Sequence, residues 1–250
     1  MPGYARRGVH GQTVEALAHR VLSGALGEGA TLDLAALQEE LGVSLTALRE
    51  SLKVLAAKGM VDARQRRGTF VRPRADWNLL DADVLRWQFQ SADTAASTAA
   101  PPLLHDLDEV RGIVEPAAVR LAAERRTPAD LEALETALRE MGEAPDGAPG
   151  AVEADLAFHR ALLAASHNEL LGRMEMVIAT ARAARDRLVH GPGHHPGDPV
   201  PSHRAVLDAV RDQDGDAAEA AMRALLTQAA RDVALLREGG PGNHSPVSGA

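Results

Sequence analysis

The sequence predicts a mainly α-helical protein, in which a small amino-terminal unit of helices and one β-hairpin precedes a larger all-α bundle. Apolar residues recur at helical spacing along most of the 250 residues, and a short strand-like stretch interrupts them near residue 65. The net charge changes sign near residue 74. Residues 1–74 contain 11 Lys and Arg against 7 Asp and Glu, whereas the other 176 residues contain 16 Lys and Arg against 28 Asp and Glu. Such an asymmetry indicates two units with different partners.

The composition excludes several classes of protein. There is no cysteine, so disulfides, thiolate catalysis and Cys-ligated zinc are ruled out, and a reducing compartment is indicated. Aromatic residues make up 2% of the chain, which is low for proteins that stack single-stranded bases. No apolar run reaches the ~18 residues of a membrane span, and residues 1–10 lack the apolar segment of a signal peptide. We therefore expect a cytoplasmic protein without membrane contact.

Three helices are predicted at the amino-terminal end. The first covers residues 13–26, where Leu and Val recur at helical spacing. Asp33 can cap a second helix that ends at Gly42, and Ser44 can cap a third. Two helices joined by a tight glycine-containing turn are typical of a helix-turn-helix.

A short hairpin follows the third helix. Residues 60–64 and 69–71 have strand character, and Gly68 provides the turn between them. Together with the helices, this basic hairpin predicts a winged helix over residues 1–74, followed by a linker over residues 75–102. The competing interpretation is a helical subdomain whose basic rim is merely solvated.

The polar and basic residues of this unit are candidates for contacts with double-stranded DNA. The third helix has the size to enter the major groove, where Arg49 and Lys53 can reach guanine edges or phosphates. Hydroxyls at its amino-terminal end suit phosphate contacts, and the hairpin tip suits the minor groove or the backbone. The predicted DNA-binding residues are Ser44, Thr46, Arg49, Lys53, Arg66, Arg67, Gly68 and Thr69.

A resemblance to a known family rests on residues 42–52, 59–61 and 68–71, which are GVSLTALRESL, GMV and GTFV. These segments resemble the DNA-binding domain of GntR-family transcription regulators. The chain departs from the family pattern at Leu45, where an arginine is usual, and it also lacks the usual arginine in the second helix. Arg49 therefore remains as the family-type recognition residue.

The linker contains both tryptophans of the chain, Trp77 and Trp87, and Asp81 can cap a short helix between them. We expect the two rings to anchor this helix against the carboxy-terminal bundle, because a Trp ring buries a large area; a base-stacking platform is the alternative. The segment resembles the linker of galactonate-operon repressors in the same family. Residues 91–102 predict a flexible connection.

The carboxy-terminal part, residues 103–238, predicts an all-α bundle of six or seven helices. Thr127 can cap one of them, and Ser166 with Glu169 has the spacing of a capping box at the start of another. The tail over residues 239–250 is expected to be disordered.

A candidate metal site lies within this bundle. Asp155 and His159 are four residues apart, so they share one face of a helix, and His203 begins a separate helix. One carboxylate and two imidazoles are a plausible set of metal ligands, although chance and i,i+4 pairing also produce such spacing. A metal-dependent hydrolase that uses these three residues is the alternative function. Against it, no general base is placed by the sequence, and a basic wing would serve no purpose.

The segments around these residues resemble the ligand-sensing domain (FCD) of the fatty-acid-regulator branch of the family, over about residues 103–237. The resemblance implies a metal held by one Asp and three His beside a pocket for a small carboxylate. Three ligands match, but Leu225 stands at the fourth position, and His194 or His195 is a candidate substitute. Three ligands together with water or the effector carboxylate can still hold zinc, nickel or manganese, so the expected cofactor is a divalent cation. The segments on which this resemblance rests include Arg111, Asp155, His159, Asn168 and His203.

Arg111 is the residue predicted to hold the carboxylate of the effector, because a guanidinium can bind it through two parallel hydrogen bonds. Its spacing from Glu115 also allows an i,i+4 ion pair, and Asn168 can face the pocket or merely cap its helix. The predicted effector-binding residues are Arg111, Asn168, Asp155, His159 and His203, of which the last three are also the predicted metal ligands.

The sequence as a whole predicts a homodimeric transcription repressor, not an enzyme. Two winged helices are expected to bind a roughly palindromic operator, and a sugar acid such as galactonate is expected to release them. A DNA-binding protein whose sensor pocket is inactive remains an alternative.

Overall fold

The computed structural model describes residues 8–94, 102–145, 149–189 and 198–238. The tail over residues 239–250, most of the expected flexible connection, and His194 and His195 lie outside the described residues. Contacts between Cα atoms divide the chain into two compact units, Met1–Ser97 and Thr98–Ala250. Within the described ranges, no helix has the length and apolarity needed to cross a bilayer.

The described part of the first unit contains α1 Val9–Leu22, α2 Leu34–Leu41, α3 Leu45–Ala57, β1 Val61–Arg64, β2 Gly68–Val71 and α4 Ala82–Thr94. Asp33 caps α2 by accepting from two backbone amides, and Ser44 caps α3 by accepting from Ala47 N. Gly42 ends α2 in the left-handed region (φ 64°), which permits the tight turn into α3. The predicted helix-turn-helix is confirmed. The first helix begins earlier than predicted and ends at Leu22 rather than near residue 26, just before Gly24 adopts a positive φ.

The hairpin gains a third segment that the sequence did not predict. β1 and β2 pair antiparallel, with Val61 opposite Val71. On the other side of β2, Leu32 N donates to Thr69 O (2.8 Å) and Val71 N donates to Ala30 O (3.0 Å). The connection between α1 and α2 therefore pairs with β2 and ties the hairpin to the helix-turn-helix.

Both tryptophans lie in the hydrophobic core of the first unit. Trp77 and Trp87 belong to one buried cluster with Val14 of α1 and Leu55 of α3, and Trp87 is fully buried. We predicted that both rings pack against the carboxy-terminal bundle, and this prediction is wrong. They pack instead in the core of the first unit, which provides an apolar site for both rings.

A buried ion-pair network attaches α4 to the helix-turn-helix. Lys58, at the end of α3, donates to Asp81 Oδ1 (2.7 Å) and to Asp83 Oδ2 (3.0 Å). Arg86, one turn along α4, donates to Glu15 Oε1 of α1 (2.9 Å). Asp81 also caps α4, as predicted. The start of the predicted linker is thus an integral part of the first unit.

The described part of the second unit consists of α5 Pro102–Arg125, α6 Pro128–Glu143, α7 Pro149–Ala165, α8 Glu169–Val189, α9 Val200–Arg211 and α10 Gly215–Glu238. Its main core packs apolar residues of α5, α6, α7, α9 and α10, with Phe158 of α7 fully buried. Thr127 caps α6 in a capping box, as predicted. The cap of α8 differs from the prediction, because Asn168 rather than Ser166 accepts from the first amides of this helix.

Candidate functional site

Asp155, His159 and His203 converge inside the second unit. The first two project from one face of α7 and the third from the first turn of α9, as their spacing predicted. One ligand atom from each residue lies within 4.8 Å of the other two. His203 Nε2 is 3.0 Å from Asp155 Oδ1, and His159 Nε2 is 4.0 Å from the same oxygen. The structure therefore brings the three predicted metal ligands together.

Hydrogen bonds fix the orientation of both imidazoles. His159 Nδ1 lies 2.6 Å from Glu115 Oε2, and His203 Nδ1 lies 2.8 Å from Pro199 O. A carboxylate and a carbonyl can only accept, so each Nδ1 carries a proton and donates it. Both Nε2 atoms are buried and make no hydrogen bond with any described residue. Two imidazole Nε2 atoms and a carboxylate oxygen thus face one another, an arrangement that a cation would stabilise.

Charges around the cluster set the protonation states. Burial and the positive charge of Arg182 lower the pKa of His159 to about 4, so its ring is neutral near pH 7. Burial tends to raise the pKa of Asp155, but the positive charge of Arg182 and the close contact with His203 outweigh it and hold this pKa well below its usual range. Burial also tends to raise the pKa of Glu115, but Arg111 and His159 outweigh burial, and this pKa is lowered as well. Both carboxyls are therefore ionised.

Arg182 and Glu115 contact the candidate metal ligands, and the sequence analysis did not predict these contacts. Arg182 of α8 donates through Nε to Asp155 Oδ2 (2.7 Å) and through Nη2 to the same oxygen. It continues the apolar face of α8 formed by Leu171, Met174 and Ile178, at helical spacing. An arginine on an apolar helix face is the signal that would have identified it. Glu115 fixes the proton of His159, as an outer partner of a metal ligand does.

Arg111, the predicted carboxylate-binding residue, is paired with Glu115 in this structure. Its Nε donates to Glu115 Oε1 (2.7 Å) and its Nη1 to Asp108 Oδ1 (3.3 Å). This is the i,i+4 ion pair that its spacing allowed. Nη2 of Arg111 is nevertheless buried without a hydrogen bond to any described residue, so one donor of this guanidinium is open to a further acceptor.

The two remaining predictions for this site have different outcomes. Asn168 is exposed, and its Oδ1 accepts from the backbone amides of Leu170 and Leu171, which is the capping role that its position allowed. Leu225, at the fourth family position, is buried in the main core of the unit and has no ligand atom. The described residues therefore supply three candidate metal ligands, and a cation held by them would have a further coordination position for water or another ligand.

The first unit presents the predicted polar face of α3. Thr46, Arg49 and Lys53 are exposed on this helix, and Lys53 pairs with Glu50 (2.8 Å). The side chain of Ser44 is occupied by its role as cap, although the residue is exposed. These side chains share the accessible surface of a helix that carries its apolar residues on the opposite side.

The hairpin tip distinguishes its two predicted arginines. Arg66 is exposed and has a left-handed backbone (φ 67°), and Gly68 beside it has φ 80°. The guanidinium of Arg67 lies 3.7 Å from the ring centre of Phe70, and its Nη2 donates to Gly29 O (3.1 Å). Thr69 is half-buried in β2. Arg66 is therefore the better placed of the two to bind a partner, since Arg67 is held by its own unit.

Comparison with protein families assigns a family to each unit. Residues 10–71 match the family described as bacterial regulatory proteins, gntR family. Residues 106–228 match the FCD domain. The first match covers the helix-turn-helix and the hairpin, and the second covers the Asp155, His159 and His203 cluster.

Individual proteins resemble the chain over most of its length. The galactonate operon transcriptional repressor of Escherichia coli K12 is 38% identical over 205 residues, which are 82% of this chain and 86% of that protein. The HTH-type transcriptional regulator LutR of Bacillus subtilis is 34% identical over 83% of this chain and 93% of that protein. A solved structure of Lar from Listeria monocytogenes shares the fold, with a TM-score of 0.57 at 17% identity, over 92% of this chain and 98% of that one.

Proposed function

Because this chain belongs to the GntR family of bacterial regulatory proteins, with an FCD domain, we propose that it is a repressor that a small carboxylate releases from its operator. The chain is a transcription regulator and not an enzyme, so the alternative of a metal-dependent hydrolase is set aside. The observation that carries the proposal is the cluster of Asp155, His159 and His203, whose two imidazole Nε2 atoms are buried without a hydrogen bond to any described residue.

We assign DNA binding to the first unit. α3 has the exposed polar face and the size that suit the major groove, with Arg49 as the main base-contacting residue. Thr46 and Ser44 lie at the amino-terminal end of this helix, where its dipole favours a phosphate. Arg66 at the hairpin tip reaches the adjacent backbone or minor groove. A homodimer would place two such units on the half-sites of a palindrome.

We assign a divalent cation, such as zinc, nickel or manganese, to the three ligands Asp155, His159 and His203. The donor set fits, since borderline cations accept two imidazole nitrogens and one carboxylate oxygen. The proton positions fit as well, because both Nδ1 atoms donate to acceptors and leave both Nε2 atoms as ligands. The cation would supply a positive charge that attracts the carboxylate of an effector.

The effector is proposed to be a small organic acid, and galactonate is the first candidate. The E. coli relative is named for the galactonate operon, and sugar acids carry the carboxylate that this site would bind. Arg111 supplies a buried Nη2 donor that is available to an acceptor. Asn168 is kept as a minor candidate, since its exposed side chain already caps α8.

Thermal unfolding in the presence of a panel of sugar acids tests this function. The panel comprises galactonate, gluconate and glucuronate, with galactose as the uncharged control, and each is added to zinc-loaded protein. A true effector at 100 times its Kd adds about 2.7 kcal/mol of stability, so it raises the Tm clearly. His203→Leu is expected to abolish the shift, whereas His167→Ala, an exposed histidine of the same unit, retains it. A panel that leaves the Tm of the wild type unchanged contradicts the assignment.

A further inference from the structure

Leu45 is an exposed apolar residue at the start of the helix that we assign to the major groove. It is the first residue of α3, and it is 37% exposed. Leu41 and Val43, which precede it in the chain, pack against the hydrophobic core of the first unit. Leu45 is not among the described residues that form or flank this core. The packing of the unit therefore does not account for a leucine at this position.

The surroundings of Leu45 on α3 are polar. Among the described residues of α2 and α3, it is the only large hydrophobic residue that is exposed. The other exposed side chains in the first three turns of α3 are polar or charged, namely Thr46, Arg49, Glu50 and Lys53. A single apolar side chain on this face indicates that the partner of the helix presents an apolar group at one point.

The position of Leu45 relative to Arg49 defines where that group lies. Residues four apart in a helix lie on the same side, so both side chains project in similar directions. They are separated by about 6 Å along the helix axis, and neighbouring base pairs are about 3.4 Å apart. A recognition helix contacts base edges with its amino-terminal residues. Leu45 therefore reaches a base pair about one or two steps from the pair that Arg49 contacts.

The chemistry of leucine restricts which base it can contact favourably. Its side chain has no hydrogen-bond donor or acceptor, so it cannot pair with the polar edge of guanine or with the amino group of cytosine. Covering such groups would remove them from water without a replacement, which costs free energy. Thymine instead presents a 5-methyl group in the major groove, which suits an apolar side chain.

On the basis of the proposed DNA binding, we propose that Leu45 is a specificity-determining residue that contacts the 5-methyl group of a thymine. This thymine lies about one or two base pairs from the guanine that Arg49 contacts, in each half-site of the operator. An arginine at this position, which is usual in the family, would favour guanine. The operator of this chain therefore differs at this base pair from the operators of regulators that have the arginine.

Removal of single methyl groups from the DNA tests this contact with the unmodified full chain. Selection from a pool of random duplexes, without organic acid, first defines the preferred half-site. Each thymine of that half-site is then replaced by deoxyuridine, which lacks only the 5-methyl group. We expect one replacement near a guanine to weaken binding by about fourfold, the effect of about one buried methyl group. Equal affinity for every deoxyuridine duplex would overturn the proposal.

The variant Leu45→Ala separates a base contact from a positioning role. We expect it to bind the thymine duplex about fourfold more weakly and to lose the sensitivity to deoxyuridine, with an unchanged Tm. Leu80→Ala is the matched control, because it shortens an exposed leucine of the same unit outside α3, and it should behave like the wild type. A Leu45→Ala variant that retains the full deoxyuridine effect would mean that Leu45 merely positions the helix, and the proposal would be wrong.

The variant Leu45→Arg provides a gain of specificity. We expect its selected half-site to contain guanine where the wild type selects the methyl-sensitive thymine, because arginine donates to guanine. An unchanged preference for thymine would contradict the contact.

The outcomes also distinguish this contact from the proposed function. A selected half-site in which no thymine is methyl-sensitive would overturn the contact but leave a DNA-binding regulator standing. If the wild type enriches no sequence from the random pool, both proposals fail.

Discussion

Each unit of this protein contains a buried group of charged side chains, and the two groups are built differently. In the first unit, Lys58 pairs directly with Asp81 and Asp83. In the second, His159 and His203 face Asp155 through Nε2 atoms that make no hydrogen bond with described residues. A buried ion pair whose charges are matched stabilises the fold, whereas buried nitrogen atoms that converge on a carboxylate without hydrogen bonds indicate a ligand. The comparison therefore separates structural charge from functional charge.

The largest expected effect comes from breaking the complete network. Lys58→Met leaves Asp83 buried without its main cation, and the removal of one partner from a buried pair is strongly destabilising. We expect the free energy of unfolding of the first unit to fall by about 3 kcal/mol, as measured by urea denaturation. Lys53→Ala, whose ion pair with Glu50 is exposed, should change it by less than about 0.5 kcal/mol. Equal effects of the two variants would remove the distinction between the buried and the exposed pair.

The matching change in the second unit should affect binding rather than folding. His203→Leu replaces a buried imidazole beside Phe158 with an apolar side chain, while Asp155 keeps its pairing with Arg182. We expect zinc affinity to fall by more than about 100-fold, because the loss of an outer partner alone costs up to that factor. Stability without metal should change by less than about 1.5 kcal/mol, the cost of a well-tolerated buried substitution. Calorimetry and urea denaturation measure the two quantities, and a collapse of the fold with zinc affinity intact would reverse the assignment.

A third change tests whether function and stability are separate in the first unit as well. Arg49 is exposed on α3 and is not part of the Lys58 network. We expect Arg49→Ala to weaken binding of promoter DNA by about 1–3 kcal/mol, with a normal Tm. Arg139→Ala, an exposed arginine of α6, serves as the control. Gel-shift affinity equal to that of the wild type would remove Arg49 from the recognition surface.

The smallest expected effect is a loss of stability of the first unit at low pH. Burial tends to raise the pKa of Asp83, but Lys58 and Arg86 outweigh it and hold this pKa below 3.8. The carboxyl of Asp83 therefore binds a proton at a higher pH in the unfolded chain than in the folded protein. As the pH drops through 3.8, the free energy of unfolding falls, by at most about 1.4 kcal/mol per pH unit for one carboxyl. The stability difference between the wild type and Lys58→Met should accordingly shrink on acidification. Urea denaturation at a series of pH values measures it, and a constant difference would contradict the pairing.

The sequence predicted those features that depend on neighbouring residues. Asp33, Ser44, Asp81 and Thr127 cap the helices that their positions indicated, because an N-cap bonds only to amides two or three residues ahead. The face shared by Asp155 and His159 follows in the same way from the helical repeat.

Long-range partners were not predictable from local pattern. Arg182 is 27 residues from Asp155, and His159 is 44 residues from Glu115. Both pairings depend on how α5, α7 and α8 pack, which periodicity does not determine. The burial of Trp77 and Trp87 was foreseen, but their neighbours were assigned to the other unit for the same reason. The convergence of the three candidate metal ligands was predicted, and the charged residues that contact them were not.

The central claim is that the acid-sensing cluster of the second unit controls DNA binding by the first. Fluorescence anisotropy of a duplex carrying the promoter that this protein regulates, titrated with galactonate and related sugar acids in the presence of zinc, tests it most directly. The account predicts tight binding without acid, release by at least one sugar acid, and no release from His203→Leu. An operator complex that withstands every acid, or a His203→Leu complex that dissociates like the wild type, would contradict it.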